Sequence, residues 1–222
     1  MSTEKQQIKT IFLVRHATND WVGKRLAGWT PGVHLNAEGQ RQAEALAERL
    51  ARWPHPPIVA LYSSPLERAR ETAQPVAERL GLDVHIVEDL GEVRYGTWTG
   101  GEIETLKNEE LWRVVQTWPS AARFPEGESV RDVQCRAVGA VEAIAERLEP
   151  GQAAVLFSHS DVIRVVVAHY LGVHLDLYQR LVISPASITA IGLTPHGPRV
   201  LCVNDTAHVP PPAQDDSSAD KT

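Results

Sequence analysis

The chain has 222 residues, 43% of them hydrophobic, and a formal net charge of −6 at neutral pH. That length and apolar content fit one α/β domain with a real core. The acidic balance argues against a nucleic-acid-binding protein, whose footprint is basic, but it leaves room for local Arg clusters that hold a small anion.

Residues 1–8 read as a frayed N-terminus with no apolar signal core. Lys9 to Val14 reads as the first strand. Its tip is Leu13-Val14-Arg15-His16-Ala17-Thr18, so an apolar run delivers an Arg-His pair where ligands meet open α/β sheets. Asn19 to Asn36 is loop-like, and its Trp21 and Trp29 suit either a pocket wall or a core edge. Ala37 to Arg52 reads as a helix with Asn36 as N-cap and Ala43, Leu46, Ala47 and Leu50 on one face. Ile58 to Tyr62 is the second strand. In Ser64-Pro65-Leu66-Glu67, Ser64 and Glu67 have capping-box spacing and Pro65 falls at the first helical position. Arg68 then sits in the first turn, where the helix dipole disfavours a cation, so an outside anion is expected beside it. Gly81 ends that helix, with a kink expected at Pro75.

Val84 to Val87 is the third strand. Leu90 to Gly100 follows as a Gly- and aromatic-rich loop around one carboxylate, Glu92. One or two short helices are expected from Glu102 to Trp118, and Phe124 to Glu128 is a loop. Ser129 to Leu148 is a strong helix with Val133, Ala137, Val141, Ile144 and Leu148 buried. Ala153 to Phe157 is a buried strand that ends at Ser158-His159-Ser160-Asp161, and an apolar helix begins at once. The backbone N–H groups of that helix start form an anion site. Ile188 to Leu193 and Val200 to Val203 are the final strands. Residues 9–208 thus form one domain, and the Pro-rich, acidic residues 209–222 read as a disordered tail.

Cys135 and Cys202 are far apart with no C-x-x-C spacing, so neither a disulfide nor a zinc site is expected. The run Val162 to Leu171 is interrupted by Arg164 and His169 and is too short to span a bilayer. A soluble, cytoplasmic protein without nucleic-acid or membrane partners is the expectation. An isolated Arg-His dipeptide is usually an ordinary strand end. Two His-bearing strand tips, an Arg in a third strand-to-helix turn and a carboxylate in a fourth loop make a constellation.

With these stretches in view, the chain resembles the histidine phosphatase superfamily, in its phosphoglycerate-mutase-like branch. The resemblance covers roughly residues 9 to 205. It rests on Leu13-Val14-Arg15-His16, on Leu35, Gly39, Gln42 and Ala43, and on Ser63-Ser64-Pro65-Leu66 with Arg68, Thr72 and Ala73. It continues through Leu90-Gly91-Glu92 with Gly96, Trp98 and Gly100, Pro125 to Ser129 with Arg136, and Ser158-His159. Leu111 to Ser120 and Gln179 to Ser187 look most like a bacterial phosphomutase/phosphatase subgroup. Ala17 and Ser160 replace the glycines usual after each catalytic His, and Thr18 and Val22 stand where the family commonly has Glu and Asn.

The resemblance implies a three-layer α/β/α sandwich with a mostly parallel central sheet. It also implies a phosphomonoester phosphatase that uses no metal or other cofactor and acts on a small phosphorylated metabolite. His16 would be the nucleophile, forming a phosphohistidine, and Glu92 the general acid. Arg15, Arg68 and His159 would neutralise the phosphoryl oxygens, with Ser160 and Asn19 as further substrate contacts. A homodimer is one assembly open to such a chain. A phosphomutase using the same intermediate is the first alternative, but the interval between Glu92 and His159 is short for a glycolytic mutase. A catalytically silent phospho-ligand module is the alternative from another class. The loop Asn19 to Asn36 and the segment Trp98 to Trp118 are candidates for a partial rim, in which Trp112, Arg113, Trp118 and Arg123 would read an apolar or anionic substrate tail.

Overall fold

In the computed structural model, residues 8–211 are described. Residues 1–7 and 212–222, and with them most of the two expected tails, lie outside the described residues. Six strands form one sheet in the order β3-β2-β4-β1-β5-β6. These are β1 (Lys9–Arg15), β2 (Ile58–Ser63), β3 (Val84–Ile86), β4 (Ala153–Ser158), β5 (Ile188–Thr194) and β6 (Gly197–Asp205). The four strands β3, β2, β4 and β1 run parallel, and β5 and β6 add an antiparallel edge.

Every residue of β4 is buried, as a central parallel strand covered on both faces requires. β1 shows how the two faces are served. Ile11 and Leu13 join one apolar cluster and Phe12 and Val14 the other, because successive side chains point to opposite faces. On the Phe12 face lie α1 (Ala37–Ala51) and α2 (Glu67–Leu80). On the Leu13 face lie α5 (Val130–Glu146) and α6 (Ser160–Leu171). Each buried Val, Leu, Ile or Phe contributes about 1.5–3 kcal/mol relative to exposure. The result is the expected three-layer sandwich.

The helices stop and start where local chemistry dictates. Asn36 accepts the Gly39 N–H and caps α1. Ser129 and Asp132 form a reciprocal capping box on α5. Gly81 ends α2 at φ 65°, a left-handed geometry that L side chains resist. The helix α2 runs continuously through Pro75. Between β3 and α5 lie two short helices, α3 (Ile103–Leu106) and α4 (Glu110–Thr117), as the sequence suggests. At the far end of the domain, Val209 donates its N–H to Thr206 and packs near Ala17, Leu35, Ala43 and Ala186.

One expectation fails here. Ser64 does not cap α2, which begins at Glu67 with Leu66 in the cap position and no side-chain cap. Pro65 therefore precedes the helix rather than opening it. The Ser64 hydroxyl is turned to His159, and the Glu67 carboxylate accepts the Gly32 N–H instead.

Candidate active site

Parallel register brings three strand tips level. Arg15 of β1 is paired with Ser158 of β4, and Ser63 of β2 with Phe157 of β4. The residues just beyond, His16, Ser64 and His159, are therefore neighbours. His16 donates its backbone N–H to Ser158 O at 2.9 Å, and Ser64 does the same to Phe157 O at 2.9 Å. The His16 and His159 rings lie 5.2 Å apart.

The two imidazoles are held differently. His16 Nδ1 sits 2.7 Å from Ala17 O. A carbonyl only accepts, so Nδ1 carries the proton and Nε2 keeps its lone pair. Burial holds the His16 pKa well below its ordinary value, with Arg68 and Arg15 adding to the effect, so the ring is neutral. Proximity to arginines alone suggests that direction, but burial is the larger cause. His159 is fully buried. Its Nε2 lies 2.8 Å from Ser64 Oγ, while its Nδ1 has no hydrogen-bond partner among the described residues and lies 3.8 Å from Glu92 Oε2. Burial, then Arg68, His16 and Arg15, keep it neutral as well.

Arg68 is only 1% exposed. One nitrogen, Nη2, donates to Gly28 O at 2.9 Å; Nε and Nη1 are buried without partners among the described residues. Arg15 shows the same pattern: Nη1 donates to Ile183 O at 2.6 Å and Nε has no partner among the described residues. Unpaired buried donors are costly and native proteins rarely keep them without a use. The Thr72 hydroxyl links the two motifs by donating to Arg68 O and accepting the Ala17 N–H.

Glu92 stands on a loop fixed through its backbone. Trp29 Nε1 donates to Glu92 O at 2.6 Å, and Arg136 reaches the carbonyls of Asp89, Gly91 and Glu92 while pairing with Glu128. Among the described residues the carboxylate accepts only the Val93 N–H, at 2.9 Å. Burial and the Asp161 carboxylate push its pKa up to about 7, against the pull of Arg68, the Val93 N–H and Arg15. Asp161 is itself held by the Tyr95 hydroxyl at 2.9 Å and Arg164 at 3.1 Å.

These groups open on a cavity of about 310 Å³. Arg15, His16, Asn19, Arg68, Glu92 and Ser160 all line it. Asn19 is braced by accepting the Trp21 N–H on its Oδ1. Among the described residues, no group of three or more His, Cys, Asp or Glu side chains is disposed to share a cation, and no helix is long and apolar enough to cross a membrane. The chain has its expected site residues in one place, with Asp161, Tyr95 and Arg164 added. An acid in the first turn of a helix is commonplace, so Asp161 carried no distinguishing signal in the sequence.

The two stretches expected at the rim, Asn19–Asn36 and Trp98–Trp118, do line the cavity, but through other side chains than those expected. Trp112, Arg113, Trp118 and Arg123 do not line the cavity. Trp112 stacks on Trp98, Arg123 pairs with Asp132 and Trp118 faces solvent. The cavity wall is instead Trp21, Arg25, Leu26 and Ile103. The loops that carry them are joined by backbone bonds from Leu26 to Gly101, Gly100 to Leu26 and Ile103 to Lys24. Trp29 supports Glu92 from behind and is not a lining residue.

A family model for the histidine phosphatase superfamily, branch 1, matches residues 11–206. The chain belongs to that superfamily. It is 31% identical over 204 residues to "Phosphoserine phosphatase 1" of Hydrogenobacter thermophilus, covering 90% of this chain and 93% of that protein. It is 30% identical over 214 residues to "Probable phosphoglycerate mutase GpmB" of Cronobacter sakazakii, covering 93% and 97%. Among solved structures, Bacillus stearothermophilus YhfR superposes with a TM-score of 0.82 at 27% identity, covering 91% of this chain and all of that one. A mycobacterial glucosyl-3-phosphoglycerate phosphatase gives 0.78 at 26% identity, covering 90% and 100%. The chain is an enzyme of this superfamily, and phosphatase and phosphomutase chemistry both fit its relatives.

Proposed function

We propose that the protein is a phosphomonoester phosphatase of small metabolites that works through a phosphohistidine on His16. The observation that carries this reading is the set of buried nitrogens without partners among the described residues, Arg15 Nε, Arg68 Nε and Nη1 and His159 Nδ1, gathered beside His16. A phosphoryl group matches such a set, because its transfer is catalysed mainly by positioning and by neutralising its oxygens. Guanidinium donors suit that task, and each hydrogen bond to a charged group is worth about 1.5–3 kcal/mol.

The bare Nε2 of His16 attacks phosphorus as the bond to the leaving oxygen breaks. Glu92, whose pKa of about 7 leaves a protonated fraction at neutral pH, gives that oxygen its proton. Water then attacks the phosphohistidine, Glu92 takes the water's proton, and His16 is returned with free phosphate. Asn19 and Ser160 contact the bound phosphomonoester from the cavity wall. The scheme calls on no metal, and we read the enzyme as a soluble, cytoplasmic metabolite phosphatase.

A rapidly quenched reaction tests this. An acid-labile, alkali-stable phosphoprotein mapping to His16 is expected, with p-nitrophenyl phosphate hydrolysis retained in EDTA. Near-normal turnover by His16→Ala would sink the mechanism, and loss of activity in EDTA would point to a metal-dependent hydrolase.

A further inference from the structure

We propose that Ser64 is a positioning residue that fixes the tautomer of His159, so that the His159 proton resides on Nδ1, the ring nitrogen nearest Glu92. Ser64 is fully buried, and its Oγ has two neighbours among the described residues. The Leu66 N–H donates to it at 3.2 Å, and His159 Nε2 lies 2.8 Å away. A backbone N–H only donates, so it occupies one lone pair of Oγ. The hydroxyl proton has a single candidate acceptor, His159 Nε2. If Ser64 donates there, Nε2 is the unprotonated nitrogen and Nδ1 carries the hydrogen.

The other tautomer leaves more unpaired. With the proton on Nε2, that nitrogen would donate to Oγ, and the serine hydroxyl proton would have no acceptor. Nδ1 would also become a bare buried lone pair directed at the Glu92 carboxylate 3.8 Å away. Two buried polar groups would then lack partners, and two electron-rich atoms would face each other. With the proton on Nδ1, only that N–H is unpaired, and its neighbour is the Glu92 carboxyl group at 3.8 Å. A doubly protonated ring is disfavoured because His159 is buried near Arg68, His16 and Arg15. His159 thereby becomes a donor of fixed direction. The same Ser64 spacing that suggests a helix cap in the sequence is explained by this second task.

This inference rests on the proposed role of His159 as a phosphoryl ligand only for its kinetic arm. Long-range proton–nitrogen NMR spectra of the imidazoles in the wild-type protein are expected to show His159 protonated at Nδ1 and bare at Nε2. A wild-type ring protonated at Nε2 overturns the proposal, whatever the enzyme proves to do. In Ser64→Ala the preference is expected to relax, with vanadate inhibition weakened about ten- to a hundredfold, the range of a lost hydrogen bond to a charged group. The His16 tautomer is expected to stay unchanged, and Ser64→Cys is expected to recover part of the loss. Weaker inhibition with the His159 tautomer unaltered would mean that Ser64 acts only by packing. If Ser64→Ala does not fold, the wild-type spectrum and the Cys variant still decide. A wild type that has the Nδ1 proton but hydrolyses no phosphomonoester would count against the proposed function alone.

Discussion

Glu92 is the residue on which opposing forces meet. Arg68 and Arg15 favour its anion, while burial and Asp161 favour the acid, and the second pair wins with a pKa of about 7. As a general acid it works when protonated, so hydrolysis of poor leaving groups is expected to fall as pH rises through about 7. Glu92→Gln should cost about 10²–10⁴ in rate for such substrates and much less for p-nitrophenyl phosphate, whose phenolate leaves without full protonation. An equal loss on both substrates would mark Glu92 as structural. The same shift has a stability consequence. In the unfolded chain Glu92 ionises near 4.5, and in the folded state near 7. Between those values the unfolded state gives up its proton first, so folding weakens as pH rises, by up to about 3 kcal/mol once both are ionised. Glu92→Gln should therefore be more stable than the parent at pH 8 and little different at pH 5. Urea unfolding at the two pH values checks this, and a less stable variant at pH 8 would refute the origin given for the shift.

At the scale of elements, strands and helices were legible because their periodicity is strong, and the stripe Val133, Ala137, Val141, Ile144 and Leu148 is buried throughout. The strand tips were legible because parallel register brings their ends level. What the sequence hid was partnership across the chain. Ser64 looks like a cap until His159 is placed beside it, and Trp112 looks like a rim residue until Trp98 stacks on it. Glycines make the same point. Gly139 lies on the exposed face of α5 with open space around it, so Gly139→Ala should stabilise by about 0.5–1 kcal/mol through helix propensity. Gly39 lies in the first turn of α1, where propensity favours the same change. There a Cβ would fall onto the Thr18 carbonyl oxygen, in the loop that follows His16. Gly39→Ala is therefore expected to lose about 1–3 kcal/mol and to slow turnover, as thermal unfolding and steady-state assays would show. A stabilised, fully active Gly39→Ala would refute the close approach.

The whole molecule decides between water and an acceptor hydroxyl. A mutase must keep its phosphorylated intermediate from water until the substrate has turned in the site. That calls for a closing wall, and the short chain between Glu92 and His159 is mostly committed elsewhere, to α5, to β4 and to the Trp98–Trp112 packing. From that interval two described residues, Tyr95 and Ile103, line the cavity, together with Trp21, Arg25 and Leu26. Arg25, moreover, is 42% exposed and paired with Glu102. The backbone bonds between the Leu26 and Gly101 loops hold this rim in place. On the proposed mechanism water is therefore expected to reach the phosphohistidine, with net release of phosphate. On one enzyme preparation, free phosphate and 2-phosphoglycerate are followed together. Conversion of 3-phosphoglycerate to 2-phosphoglycerate should be slower than hydrolysis of the best phosphomonoester found in a metabolite screen. Rapid 2-phosphoglycerate formation with little phosphate release would restore the mutase, and would mean that this rim closes over its substrate.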